Sequence, residues 1–185
     1  MNTDLLLTIN GWSGNPVVDA VMKFAAGVLI FGCFAVLAVI CALQLLARRL
    51  DRVVLVGTSL VLALGLGRGA AELFPNERPF TTHPEVHQLV GHEAGQSFPS
   101  DHSLAAFGVA LAVAVFLSIR WGLVLLAAAT VIGFSRIYVG VHYPADIVGA
   151  ALFAAMGVGV VAVLARTALV ARLLAVRVPL NAHPA

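Results

Sequence analysis

The stretch SFPSDHSLAAFGVALAVAVF (residues 97–116) sets a carboxylate, an imidazole and three serines at the head of an unbroken apolar run. Pro99 and Ser100 suit the start of a helix, and the residues after Ser103 suit its passage through lipid. Ionisable side chains at membrane depth are expensive and usually mark function. Asp101 and His102 at this rim therefore need a partner that justifies them.

The apolar character extends through the chain. Of its 185 residues, 61% are hydrophobic and 11% charged, and the mean hydropathy of +0.99 is far from a globular average. Several runs approach or exceed the ~20 residues that a spanning helix needs. The expected fold is all-α, a polytopic membrane bundle of about five transmembrane helices plus an N-terminal interfacial helix, in a single domain over residues 1–185. The first apolar run is too long, and its flanks too poorly matched, for a cleaved secretory signal. A net charge of +2 without a basic block argues against nucleic acid as a partner. Cys33 and Cys41 share one run. Eight residues of helix separate them by about 12 Å, too far for a disulfide, so both read as packing residues.

Residues 1–16 read as a short amphipathic element carrying Trp12, followed by a turn at Gly14, Asn15 and Pro16. Spans are expected at about 18–47, 53–73, 100–119, 121–139 and 144–170, with a polar loop at 74–98 and a tail at 171–185. Asp19 and Lys23, four apart, are expected to pair on one helix face. Arg48, Arg49 and Arg52 lie between the first two spans, Arg120 between the third and fourth, and Arg166, Arg172 and Arg177 at or after the fifth. Five spans put all of these on one side, which should be the cytoplasm. Trp12 and Trp121 then anchor opposite interfaces.

Arg68, Arg78 and Arg136 run against that rule, at the outward ends. Three polar clusters share their side: NERPF (76–80), SFPSDH (97–102) and SRIYVGVHYPAD (135–146). Arginine forks match phosphate oxygens bidentately, and a helix N-terminus adds an anion site. His142 and Asp146 are four apart, with Pro144 suited to a first helical turn. Asp146 can accept from one ring nitrogen and leave the other free to attack, as in an oriented nucleophile. His102 is then the general acid for the leaving oxygen. Each piece alone is commonplace, since a lone histidine near a membrane boundary is usually interfacial. Their joint occurrence at these spacings is not.

These motifs resemble those of the type 2 phosphatidic acid phosphatase superfamily of membrane lipid phosphatases. Its pattern SR-x5-H-x3-D is met by Ser135, Arg136, His142 and Asp146, and PS-x-H by Pro99, Ser100 and His102. K-x6-RP is met only at Arg78 and Pro79, because Ala71 holds the lysine position; Arg68, one turn earlier, is a candidate to contribute from a similar face. Within the superfamily, the bacitracin-resistance type of undecaprenyl-diphosphatase also tends to lack that lysine. The loop RPFTTHPEVHQLVGHEAGQSFPSDHS and the segment GFSRIYVGVHYPADIVG are similar to it, and the similarity extends over about residues 5–170.

The resemblance implies that His142 is the nucleophile forming a phosphohistidine, that Asp146 orients it, and that His102 protonates the leaving group and then activates water. It implies phosphate binding by Arg78, Ser100, Ser135 and Arg136, next to Pro79. Asp101, inside the second motif, reads more simply as a helix cap or an orienting group. The implied reaction is hydrolysis of undecaprenyl diphosphate to undecaprenyl phosphate and inorganic phosphate, without metal or other cofactor. The partners are a polyprenyl diphosphate and membrane lipids, at the outer face of a bacterial inner membrane. Competing readings are a phosphatase for phosphatidylglycerol phosphate, phosphatidate or a lipid A phosphate, and a non-catalytic lipid-phosphate binder or transporter. His83, His87 and His92 crowd one loop; their spacing matches no closed metal site, and they read as interfacial or headgroup contacts, with Glu93 a weaker loop candidate.

Overall fold

A computed structural model of the protein describes residues 2–167 and Arg172, and eight helices build the fold within residues 2–167. They are α1 (Asn2–Asn10), α2 (Pro16–Gly27), α3 (Leu29–Leu46), α4 (Leu50–Leu73), α5 (Pro79–Thr82), α6 (Asp101–Phe116), α7 (Ile119–Tyr138) and α8 (Pro144–Ala165). Four of them, α3, α4, α7 and α8, are long and apolar enough to cross a membrane, and α6 is a shorter apolar helix. The protein is a multi-pass membrane bundle. Large apolar side chains on its outside, among them Phe31, Val61, Leu123 and Val163, are exposed as lipid-facing residues must be.

The first expected span differs from the structure. One run at 18–47 resolves into α2 and α3, joined at Val28, whose N–H still bonds the Phe24 carbonyl. α2 begins where the sequence provides for it: Asn15 caps the N–H groups of Val17 and Val18, and Pro16 opens the first turn. Asp19 does not serve Lys23. Its carboxylate accepts from the Gly14 N–H and from the Tyr138 hydroxyl, 2.7 Å away, a donor that the packing of α2 against α7 brings to it. The fifth span ends at Ala165, with Arg166 as its cap. Apart from Arg172, the tail at 171–185, with Arg177, lies outside the described residues.

α6 is the central helix, packed against α3, α4, α7 and α8. More than half of its buried residues are small, among them Ala106, Gly108, Ala110 and Ala112, beside Leu104, Val109 and Val113. Small residues let helix backbones approach closely where lipid supplies no hydrophobic drive. The same device joins α4 to α8: a Cβ on Gly157 would lie 2.7 Å from the Ala63 backbone. Gly157→Val should therefore destabilise the bundle by about 1–3 kcal/mol, read as a lower thermal midpoint in detergent, whereas Gly159→Ala, with open space around it, should not.

Two helix ends build the outer turn. α7 closes in a Schellman motif, with Gly140 N–H on the Ile137 carbonyl and Val141 N–H on the Arg136 carbonyl. Gly140 carries the positive φ of 79° that this motif requires. α8 restarts at Pro144, and Asp146, in its first turn, accepts from the Tyr143 N–H at 2.8 Å. The five residues between the helices hold His142 rigidly at their junction.

Candidate active site

His142 is 2% exposed and Asp146 1%. His142 Nδ1 lies 3.3 Å from Asp146 Oδ2, and His142 Nε2 lies 3.2 Å from an Arg78 guanidinium nitrogen. Arginine can only donate. Nε2 must therefore accept, and the ring proton must sit on Nδ1, facing Asp146. The two contacts fix one tautomer with its lone pair on Nε2. Asp146 Oδ2 is held in turn by the Ser97 hydroxyl and the Tyr143 N–H.

A carboxylate partner ordinarily raises an imidazole pKa. Here burial outweighs it, with Arg136 and Arg78 adding to the shift, and His142 is pushed down to about 4. The ring is neutral at physiological pH. The folded value lies below the ordinary ~6.5, so the folded state binds fewer protons than the unfolded one between those values. Stability should accordingly fall as pH drops from about 6.5 toward 4. A nitrogen-15 NMR titration should show the His142 ring neutral until near pH 4; titration near 6.5 would contradict this environment.

The two arginines carry the open donors of the site. Arg136 is 3% exposed, and one of its terminal nitrogens bonds the Ala26 carbonyl at 3.2 Å. Its Nε and Nη2 have no protein partner, nor does Nε of Arg78. A buried guanidinium with open donors is costly unless an anion meets it, and a phosphate has the matching oxygens. Arg78 precedes the short α5, begun by the buried Pro79. His102 is half-buried on the first turn of α6, where the charges of Arg136, His92, Asp101 and Arg78 act on it.

The remaining expected residues are placed less directly. Ser100, buried, is the N-cap of α6: its hydroxyl faces the Ser103 N–H, and its own N–H reaches the Asp146 carbonyl at 3.3 Å. The capping place considered for Asp101 thus belongs to Ser100. Asp101 is exposed and lines, with Arg68, Gly67, Ala71, Phe98 and Pro99, a cleft of about 320 Å³ between α4 and α6. Ser135 is buried, but its hydroxyl donates to the Ile132 carbonyl at 2.7 Å within its own helix. Ser97, not singled out in the sequence, sits at the centre of the carboxylate's hydrogen bonds. Ser97 opens the SFPSDH cluster but lies outside its PS-x-H pattern, so no spacing marked it.

The chain matches the model of the PAP2 superfamily over residues 52–169. It is 40% identical over 92 residues to the bacitracin transport permease protein BcrC of Bacillus licheniformis, covering 50% of this chain and 45% of that protein. It is 33% identical over 159 residues to the undecaprenyl-diphosphatase BcrC of Bacillus subtilis, covering 83% of this chain and 79% of that protein. Among solved structures, that of Aquifex aeolicus LpxE superposes with a TM-score of 0.71 at 25% identity, over 86% of this chain and 93% of the other.

Proposed function

The chain belongs to the PAP2 superfamily, and from that membership and the site's geometry we propose that it is an undecaprenyl-diphosphatase. It hydrolyses undecaprenyl diphosphate to undecaprenyl phosphate and inorganic phosphate. The observation that carries the chemistry is the neutral His142 ring, with Nδ1 on Asp146 and Nε2 on Arg78. The substrate is that of the Bacillus subtilis relative.

The terminal phosphate takes the open donors of Arg136 and Arg78, which turns Arg78 from His142 Nε2 to phosphate oxygen. The freed Nε2 lone pair forms the nitrogen–phosphorus bond while the bond from phosphorus to the bridging oxygen breaks. Asp146 stabilises the charge that develops on the ring, and His102, entering the step as imidazolium, gives a proton to the departing lipid phosphate and is left neutral. Water then attacks the phosphohistidine, His102 takes its proton, and the electron pair returns to Nε2. Arg78 and Arg136 balance the negative charge in both steps. The polyprenyl part stays in the lipid beside the helices. The site faces outward from a bacterial inner membrane, a reading supported by Arg48, Arg49, Arg52, Arg120 and Arg166 at the opposite end of the helices.

The test is phosphate release by detergent-purified protein in the presence of a chelator. Undecaprenyl diphosphate, phosphatidate and phosphatidylglycerol phosphate are compared. The diphosphate should be the preferred substrate and chelator should change nothing. Preference for a glycerolipid would overturn the substrate, and loss of activity with chelator would overturn the metal-free chemistry.

A further inference from the structure

The loop between α5 and α6 carries three histidines with different surroundings. His83 lies 3.7 Å from Glu85 and edge-on to Tyr143, and His87 Nδ1 meets the Ser13 hydroxyl at 3.0 Å. His92 instead sets its ring at 81° to that of His142, with the centroids 6.4 Å apart.

The loop is held in place. The Asn10 side chain accepts from the His87 N–H at 2.8 Å and donates to the His87 and Tyr138 carbonyls. Leu89 N–H bonds the Val139 carbonyl, and Gln88 donates to the carbonyl of His92. The ring itself has Nδ1 3.3 Å from the Glu93 carbonyl. A carbonyl only accepts, so the proton sits on Nδ1 and the Nε2 lone pair is open. Burial, then the positive charges of Arg78 and Arg136, hold the ring below its ordinary pKa, with the Glu93 carbonyl and carboxylate opposing them. A broad depression of about 520 Å³ at Gly91, His92 and Glu93 opens beside it.

Resting on the phosphate-transfer reading above, we propose that His92 is a further phosphate-binding residue, hydrogen-bonding an equatorial oxygen of the phosphoryl group that passes to His142. Its ring lies beside the nucleophile's. Water attacking in line must enter opposite His142, so this position suits an equatorial oxygen and not the hydrolytic base. An incoming anion offsets the fields of Arg78 and Arg136. The imidazole then takes a proton from solvent onto Nε2 and becomes a charged donor there. His102, His142, Asp101, Asp146 and Glu93 share this field with Arg78 and Arg136.

Binding of orthophosphate to the purified protein, by calorimetry, tests the assignment without a lipid. His92→Ala should weaken orthophosphate about tenfold or more, and raise KM for the lipid diphosphate more than it lowers kcat. His92→Gln, which keeps a donor, should recover part of the loss. His87→Ala, on the same loop with its side chain on Ser13, should leave both values unchanged. Wild-type affinity in His92→Ala, an equal loss in His87→Ala, or no orthophosphate binding by wild type would each overturn the proposal. Wild type that binds orthophosphate but hydrolyses no lipid would instead overturn the substrate reading, with the His92 comparison still decisive.

Discussion

His142→Asn lowers turnover of undecaprenyl diphosphate by at least roughly 10⁴-fold, the scale on which removal of a covalent nucleophile acts. Asparagine is the discriminating choice. Its amide N–H₂ can occupy the place of Nδ1 and still donate to Asp146, so the tie at 3.3 Å survives. What disappears is the atom at the Nε2 position, which faces Arg78. Orthophosphate should still bind, because Arg78 and Arg136 remain. If His142→Asn retained a tenth of wild-type turnover, the ring would be a binding group only. Phosphate release under saturating substrate measures this directly.

Arg136→Met should separate activity from stability. Turnover should fall by about 10²–10³-fold, as when one preorganised donor to a developing charge is lost. Stability should hold or rise, because the variant removes a buried charge with two unpartnered nitrogens, and apolar replacements of buried charges are often neutral or stabilising. The lost bond to the Ala26 carbonyl works the other way, but one neutral acceptor is a smaller matter than a desolvated cation. Arg136→Lys should not restore activity, since an ammonium lacks the planar fork. Kinetics and thermal midpoints on the same preparations check both halves. A variant that lost stability in proportion to activity would mark Arg136 as structural.

Much of this architecture was legible in the sequence because its signals are local. The apolar runs marked the spans, and the four-residue spacing from His142 to Asp146 placed both groups at one helix start. The break at Val28 was not legible. The one local sign is Gly27, and an isolated glycine in an apolar run is common inside membrane helices, while Val28 keeps helical dihedrals, so the run reads as unbroken. Asp19 was misassigned for a different reason: helical spacing offered Lys23, whereas Tyr138, far along the chain, supplied the donor. Asn10 and Ser97 belong with it. Their partners, His87 and Tyr138 for the one and Asp146 for the other, are set by tertiary packing and by no periodic pattern. His92 stood out only as one of three loop histidines; the fixings of the loop are what turn its ring toward His142.

In the proposed reaction His142 carries the phosphoryl group between lipid and water. Rapid quench of the protein with undecaprenyl diphosphate labelled at its terminal phosphate tests it most directly, in a single turnover followed by peptide mapping. Label should appear on His142, stable to base and labile to acid, and should be missing in His142→Asn. Label on any other side chain, or complete phosphate release with no labelled protein at any time, would contradict it.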